Sequence, residues 1–236
     1  MTSSVLEAAW TAAEFEDRLQ RVGGEHYHDQ HPFHLKMHRG ELSRHQVQCW
    51  ILNRFYYQMN IPIKDAIIVS RLTDREDRRR WIRRIVEHDG SCGDEGGIEA
   101  WIKLGEAAGI NRSNMHDQSS ILAGVRFAVD AYVNFCRLKT VEEAVAASLT
   151  ELFAGDLIAQ RIEVIEKHYS WIKPEGLDYF RRRVSEAPRD ARSALEYVLR
   201  SARSRQDQER AIAALKFKCD VLWSLLDAVE IACPGS

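Results

Sequence analysis

The sequence predicts an all-α fold in which seven or more helices pack as a single domain over residues 1–236. Apolar residues recur at helical spacing along the chain, and no run of four or more residues alternates as a half-buried strand would. Only five prolines are present, none of them between residues 63 and 173, and glycines separate the periodic segments instead. A chain of this length with 45% hydrophobic residues can bury one large core.

Start and stop signals place the helices in order along the chain. Capping boxes, in which a Ser or Thr and the third helical residue exchange hydrogen bonds, are predicted at Thr11, Ser43 and Thr140. Pro62 is expected to end the second helix, because a proline inside a helix removes a backbone hydrogen bond. The glycine-rich segment 89–97 is predicted to be a functional loop or a helix connection. The predicted helical segments cover residues 11–24, 43–62, 74–88, 98–108, 122–138, 140–153, 156–168, 175–186, 189–204 and 207–231.

Composition and charge argue against several classes of protein. Lys+Arg 33 and Asp+Glu 35 give a net charge of −2, whereas a general nucleic-acid binder carries a net basic surface. The N-terminus lacks a basic-then-apolar leader, and the most apolar late segment, residues 221–232, is too short to cross a bilayer. Five cysteines without a CxxC pair argue against a disulfide framework or a structural zinc site. We therefore expect a cytoplasmic protein that binds neither nucleic acid nor membrane.

A lysine interrupts one apolar face of the last predicted helix. Ala211, Ala214, Val221 and Leu225 lie on this face, and Lys218 occupies the position between them. Such a lysine can extend to the solvent, or it can be buried beside an anion, because an unpaired buried ammonium group is costly. The spacing alone leaves both outcomes open.

Polar residues also follow the apolar faces of three other predicted helices. One such pair is most simply a pair on the helix surface. Three pairs on separate helices indicate instead that cations converge inside the bundle, where helical proteins build ligand sites. Several guanidinium groups would suit a small molecule with several carboxylates, since the two groups pair in a bidentate manner. The pairs are Arg54 with Gln58, Arg84 with His88, and Tyr179 with Arg183.

The clustering of histidines is a second indication of a functional site, because five of the nine lie in residues 25–38. His34 and His38 have the spacing of a metal-binding pair, and Glu25 with His28 resembles half of a di-iron motif. A second Glu-x-x-His is absent from the sequence, so polar capping or substrate contact is favoured over metal binding. Cys136 can be a nucleophile, although a single cysteine on an apolar helix is more often a packing residue.

Seven segments of the chain together resemble the pyrroloquinoline-quinone synthase family, in order, over residues 12–230. The resemblance implies a compact seven-helix bundle of the haem-oxygenase/thiaminase-like type and a homodimer. It further implies an oxidase with no metal or organic cofactor and with O2 as co-substrate. Such an enzyme closes a ring, removes eight electrons from a hexahydroquinoline tricarboxylate and releases hydrogen peroxide. The segments are EHYHDQHPFHLKMHRG, WILNRFYYQMNIPIKDA, RIVEHDGSCGDEGGIEAW, GVRFAVDAYVNF, SLTELFA, HYSWIKPEGLDYFRRR and LKFKCDVLW.

The resemblance also assigns roles to individual residues. One departure is Ile158, which stands where members of the family can carry a histidine, so one proton-transfer contact is in doubt. The catalytic group around the oxygen position and the base is matched by His88, Tyr179, Arg183 and Lys218. The substrate-binding positions are matched by Tyr27, His28, Arg54, Gln58, Lys64, Arg84, Tyr132, Thr150, Glu151 and Arg161.

These residues support a specific mechanism for oxidation without a cofactor. His88 removes a proton from the ring-closed substrate, and the resulting anion can give an electron to O2. Positive charge from Arg183 and Lys218, with the hydroxyl of Tyr179, favours the reduced oxygen species. Two alternatives remain open from sequence: a metal-dependent oxidase on the same bundle, and a non-catalytic carrier of an anionic quinone.

Overall fold

A computed structural model describes residues 7–234, and within this range the chain forms eleven α-helices, four short 3₁₀ helices and no β-strand. The predicted all-α class is therefore confirmed. Helices α1 to α11 are, in order, Ala12–His26, Pro32–His38, Arg44–Val69, Arg75–Asp89, Gly96–Ala107, Arg112–His116, Ala123–Leu138, Val141–Ala146, Gly155–His168, Asp178–Ser201 and Arg205–Ala232. The 3₁₀ helices are His28–Gln30, Gln118–Ser120, Ala147–Phe153 and Pro174–Leu177.

The described chain has more than the seven helices that the resemblance implied, because short helices lie between the long ones. Helices α2 and α6 contain seven and five residues, fewer than a full repeat of the apolar pattern requires. The segment that begins at Thr140 divides into α8 and the 3₁₀ helix Ala147–Phe153. The glycine-rich segment is a connection between α4 and α5, in which Gly90, Gly93 and Gly96 have positive φ angles.

Two prolines lie inside helices that were expected to end or divide there. Pro62 lies within α3, and Pro188 lies within α10, which joins the segments predicted as 175–186 and 189–204. A proline inside a helix costs roughly 3 kcal/mol, an amount that burial of the surrounding residues can offset. The consequence for the site is that one continuous helix, α3, carries Arg54, Gln58 and Lys64.

The helix starts were predicted more accurately than the helix count. The structure contains the capping boxes at Thr11, Ser43 and Thr140, each with both of its reciprocal hydrogen bonds. Helix α3 lies at the centre and contacts α4, α5, α7 and α11. Two apolar clusters pack on either side of the central polar residues, one around Trp101 and the other around Leu215. No helix formed by residues 7–234 is both long enough and apolar enough to span a membrane.

A disulfide joins Cys49 of α3 to Cys233 at the end of α11. The sequence-based expectation of no disulfide is therefore wrong. The two cysteines are 184 residues apart, so only the packing of α11 against α3 reveals that they meet. Gln46 strengthens the same junction, because its side-chain amide donates a hydrogen bond of 3.1 Å to the carbonyl of Cys233.

Removing this disulfide should destabilise the fold. We expect the variant with Cys49→Ser and Cys233→Ser to lose about 2–4 kcal/mol of unfolding free energy, because the open unfolded chain gains conformational entropy. Urea denaturation of the parent and the variant, with and without dithiothreitol, measures the difference. Reductant should bring the parent down to the stability of the variant and leave the variant unchanged. A parent that is insensitive to reductant would contradict the prediction.

Candidate functional site

A pocket lies between α3, α4, α9 and α10, and its free volume of about 690 Å³ includes the open solvent at its mouth. Ten of the fourteen predicted site residues line it: Tyr27, His28, Arg54, Gln58, His88, Thr150, Glu151, Arg161, Tyr179 and Arg183. The other four are buried behind its wall: Lys64, Arg84, Tyr132 and Lys218. Apolar and aromatic residues complete the lining: Tyr57, Ile61, Trp101, Ala154, Leu157, Ile158, Phe180, Ala187 and Leu222.

His88 lies in the last turn of α4 and is buried against the cavity. Its Nδ1 atom lies 2.9 Å from the carbonyl oxygen of Arg84, which can only accept, so Nδ1 carries the proton. Nε2 therefore holds a free lone pair, and it has no hydrogen-bond partner within residues 7–234. Burial, together with the charge of Arg183, lowers the pKa of His88 to about 4. The ring is thus a neutral imidazole at pH 7, ready to accept a proton.

Two of the arginines share one carboxylate. Arg84 donates two hydrogen bonds to Glu151, of 2.6 and 2.8 Å, and Arg183 donates one of 3.0 Å to the same group. Arg183 also donates a hydrogen bond of 3.3 Å to Asp190. Burial raises the pKa of Glu151, but the charges of Arg84 and Arg183 outweigh this effect and lower the pKa to about 2. The charges of these two arginines are therefore largely balanced inside the protein.

Arg54 and Arg161 differ, because no carboxylate in the described part of the chain forms an ion pair with either of them. The guanidinium of Arg54 stacks 4.0 Å above the ring of Tyr57. Arg161 donates a hydrogen bond of 3.3 Å to Nδ1 of His34, and its Nε atom has no partner among residues 7–234. Burial and the nearby Arg54 lower the pKa of Arg161 to about 10, so its guanidinium stays charged at pH 7. Their charges are available to a ligand.

Lys218 neither extends to the solvent nor pairs with an anion of the described chain. Its ammonium nitrogen lies 4.2 Å from the ring centre of Tyr57 and 4.3 Å from that of Tyr132, and the residue is 1% exposed. Burial, followed by the charges of Arg54 and Lys64, lowers the pKa of Lys218 well below its ordinary value. Because these effects favour the neutral amine, the positive charge assigned to Lys218 from sequence depends on the arrival of an anion.

Tyrosine hydroxyls provide neutral donors in the same region. Tyr179 donates a hydrogen bond of 2.9 Å to the side-chain oxygen of Gln58, and the edge of its ring packs on Trp101. Burial raises the pKa of Tyr179, which keeps the hydroxyl protonated. Ile158 lines the cavity and contributes an apolar surface at the position where members of the resembling family can carry a histidine.

The histidine-rich segment forms a stack beside the cavity. The ring centres of His28 and His34 are 5.5 Å apart, and those of His34 and His38 are 4.3 Å apart. Among residues 7–234, no group of three or more His, Cys, Asp or Glu side chains is placed to hold a metal ion. Cys136 is fully buried outside the cavity lining, and burial raises the pKa of its thiol to about 11, as expected for a packing residue.

Two side chains that shape this site were not predicted from the sequence, those of Tyr57 and Asp190. Tyr57 lines the cavity, and its ring contacts both Arg54 and Lys218. Asp190 balances Arg183 from one side. In one continuous helix, an acidic residue seven positions after an arginine lies on the same face. The pair of Arg183 and Asp190 could therefore have been predicted if the helix had not been expected to divide at Pro188.

Sequence comparison places these residues in a known family. The sequence model of the TENA/THI-4/PQQC family matches residues 16–228. A pyrroloquinoline-quinone synthase from Ectopseudomonas mendocina is 51% identical over 226 residues, which cover 96% of this chain and 90% of that protein. A protein of the same name from Pseudomonas syringae is 49% identical over 224 residues, which cover 95% and 89% of the two chains.

Solved structures show the same fold at low sequence identity. A domain of unknown function with a heme oxygenase-like fold from Shewanella denitrificans has a TM-score of 0.76 and 11% identity, over 97% of this chain and 94% of that one. A TenA homolog from Pseudomonas syringae has a TM-score of 0.73 and 14% identity, over 94% and 98%. The heme oxygenase-like architecture predicted from the sequence is therefore confirmed.

Proposed function

Because this chain belongs to the TENA/THI-4/PQQC family, and within it to the pyrroloquinoline-quinone synthases, we propose that it is an enzyme of pyrroloquinoline quinone biosynthesis. The reaction is ring closure and eight-electron oxidation of 6-(2-amino-2-carboxyethyl)-7,8-dioxo-hexahydroquinoline-2,4-dicarboxylate. The acceptor is O2, hydrogen peroxide is released, and no metal or organic cofactor takes part. We further propose that the enzyme is a homodimer in the cytoplasm.

The observation that carries this proposal is the excess of positive charge in the cavity. Arg54 and Arg161 have no anionic partner within the described chain, and a charge that is partly buried in this way is costly unless a ligand pairs with it. A substrate with several carboxylates supplies that partner. The same cavity is lined by a neutral base, His88, and by Tyr179, and a simple carrier needs no such base.

The proposed mechanism begins when Nε2 of His88 takes a proton from the bound, ring-closed substrate. The resulting anion is electron-rich and can transfer electrons one at a time to O2. Two electrons and two protons convert one O2 molecule to hydrogen peroxide. Tyr179 and Arg183 line the same cavity and can stabilise the developing oxygen anion, once the hydroxyl of Tyr179 turns away from Gln58 to donate to it.

Turnover of the purified protein with and without O2 tests the proposed function. We expect the reduced substrate to be converted to the quinone in air, with release of peroxide, and to remain unoxidised under argon. Metal analysis of the same active sample, with turnover in the presence of a chelator, tests the metal-dependent alternative. Activity that disappears on metal removal and returns with a metal would contradict the proposal, and binding without oxidation in air would favour the carrier.

The Arg54→Ala variant tests the role of the unpaired cations. We expect it to weaken substrate binding by about 10- to 100-fold with a smaller effect on kcat, because a contact made in the ground state contributes to binding throughout the reaction. Steady-state kinetics give kcat and KM separately. The Arg75→Ala variant, which alters an exposed arginine of α4, is the matched control and should leave both constants unchanged. An unchanged KM in Arg54→Ala would contradict the prediction.

A further inference from the structure

The arginines at the cavity are held in place in two different ways. Arg84 and Arg183 share the carboxylate of Glu151, and Asp190 lies near both of them, so carboxylates balance their charges. Arg161 is held by an imidazole, that of His34, through a hydrogen bond of 3.3 Å. Arg161 also lies 5.5 Å from the ring centre of Trp50 and 5.8 Å from that of Phe180, and the nearby charge of Arg54 is positive as well.

The fold fixes His34 firmly in this position. The residue lies on α2, whose first turn begins with Pro32 and is capped by the side chain of His31. The other ring nitrogen of His31 lies 3.0 Å from Asp227 of α11, which ties α2 to the bundle. His34 is 4% exposed, and its ring stacks between the rings of His28 and His38.

The imidazole of His34 accepts the hydrogen bond as a neutral group. A guanidinium has no acceptor atom, so Nδ1 of His34 must accept from Arg161 and cannot carry a proton. Burial and the charge of Arg161 agree with this assignment, because they lower the pKa of His34 to about 2. The pair therefore carries one net positive charge at pH 7, unlike the balanced group of Arg84 and Glu151.

We propose that His34 is a positioning residue, which holds Arg161 at the cavity wall through a neutral acceptor and leaves its positive charge free for a carboxylate of the substrate. This inference rests on the proposed function and adds to it a residue to which the sequence comparison gave no role. A carboxylate at position 34 would hold the guanidinium at least as well but would balance its charge. The identity of the acceptor thus determines whether Arg161 can bind an anion.

Substitutions at His34 distinguish two effects: whether Arg161 is held in position, and whether its positive charge remains unbalanced. Pyrroloquinoline quinone, which is itself a tricarboxylate, serves as the probe, and calorimetric titration gives its affinity for each variant. His34→Gln retains a neutral acceptor and should bind within about threefold of the parent. His34→Glu and Arg161→Gln should each bind at least about tenfold more weakly. His45→Gln, at an exposed position of α3, is the control and should bind as the parent does.

Stability of the empty protein provides a second readout. His34→Glu should unfold at a higher temperature than His34→Gln, because the new carboxylate pairs with a partly buried cation that otherwise lacks an anionic partner. Opposite changes in stability and affinity distinguish this role from a merely structural one, which would lower both. If the parent binds the quinone while His34→Glu binds equally well, this inference alone is overturned. A parent that neither binds the quinone nor oxidises the substrate contradicts the proposed function as well.

Discussion

Replacing Glu151 with alanine is expected to lower the free energy of unfolding by about 3–5 kcal/mol, because it leaves two buried arginines without their shared carboxylate. Arg84 is 3% exposed and Arg183 is 7% exposed, so water cannot readily replace the lost partner. Asp190 remains near both guanidinium groups, Asp65 lies 3.5 Å from Arg84, and Glu186 lies 3.3 Å from Arg183. None of these carboxylates replaces the two short hydrogen bonds that Arg84 donates to Glu151. Urea denaturation monitored by circular dichroism measures the loss.

An exposed ion pair provides the matched control for this substitution. Glu196 accepts a hydrogen bond of 2.8 Å from Arg80, and both side chains are about half exposed. The Glu196→Ala variant should therefore change stability by only about 0–1 kcal/mol. Equal losses of unfolding free energy in Glu151→Ala and Glu196→Ala would contradict the prediction, because the buried ion pairs would then stabilise the fold no more than an exposed pair does.

Lowering the pH should remove the contribution of Glu151 to the free energy of unfolding. Its pKa in the folded protein is about 2, below the ordinary value of 4.5, so folding favours the ionised form. The stabilisation is fully present above about pH 4.5 and is lost as the pH falls from there towards 2. The parent should lose stability over this range more steeply than Glu151→Gln, whose amide does not titrate.

Local signals in the sequence were sufficient to place most helix starts. A capping box involves residues only three positions apart, so Thr11, Ser43 and Thr140 reveal it directly. The predictions that failed concern features that depend on residues far apart in the sequence. Pro62 stays inside α3 because the helix is buried along most of its length, and Cys49 finds Cys233 only after the bundle has formed.

The location of the site was predictable, and its electrostatics were not. Pairs of polar residues four positions apart share one helix face, which is why Arg54 with Gln58 indicated a common cavity. The net charge of each group depends instead on partners from other helices. Glu151 balances Arg84 and Arg183 across the bundle, whereas Lys218 stacks on aromatic rings, and neither arrangement leaves a regular spacing in the sequence.

Loss of the base should have the largest effect on the reaction itself. We expect His88→Ala to lower kcat by about 10²–10⁴-fold while the affinity for the substrate stays nearly intact, because Arg54 and Arg161 still bind the carboxylates. His88→Gln, which keeps a polar side chain of similar size but cannot serve as a base at pH 7, should be equally impaired. Mixing each variant with substrate under argon and then admitting O2 separates binding from oxidation in the absorption spectrum.

The pH dependence of the parent provides an independent check on the same group. The pKa of His88 is lowered to about 4, chiefly by burial and also by the charge of Arg183, so the imidazole is neutral and able to accept a proton above that pH. We therefore expect kcat/KM to be independent of this group near neutrality and to fall only as the pH approaches 4, where the protonated ring can no longer act as a base. If kcat/KM instead falls with a midpoint near the ordinary histidine pKa of about 6.5, the base is a more exposed residue than His88. If His88→Ala oxidises the substrate at the parent rate, His88 is not the base.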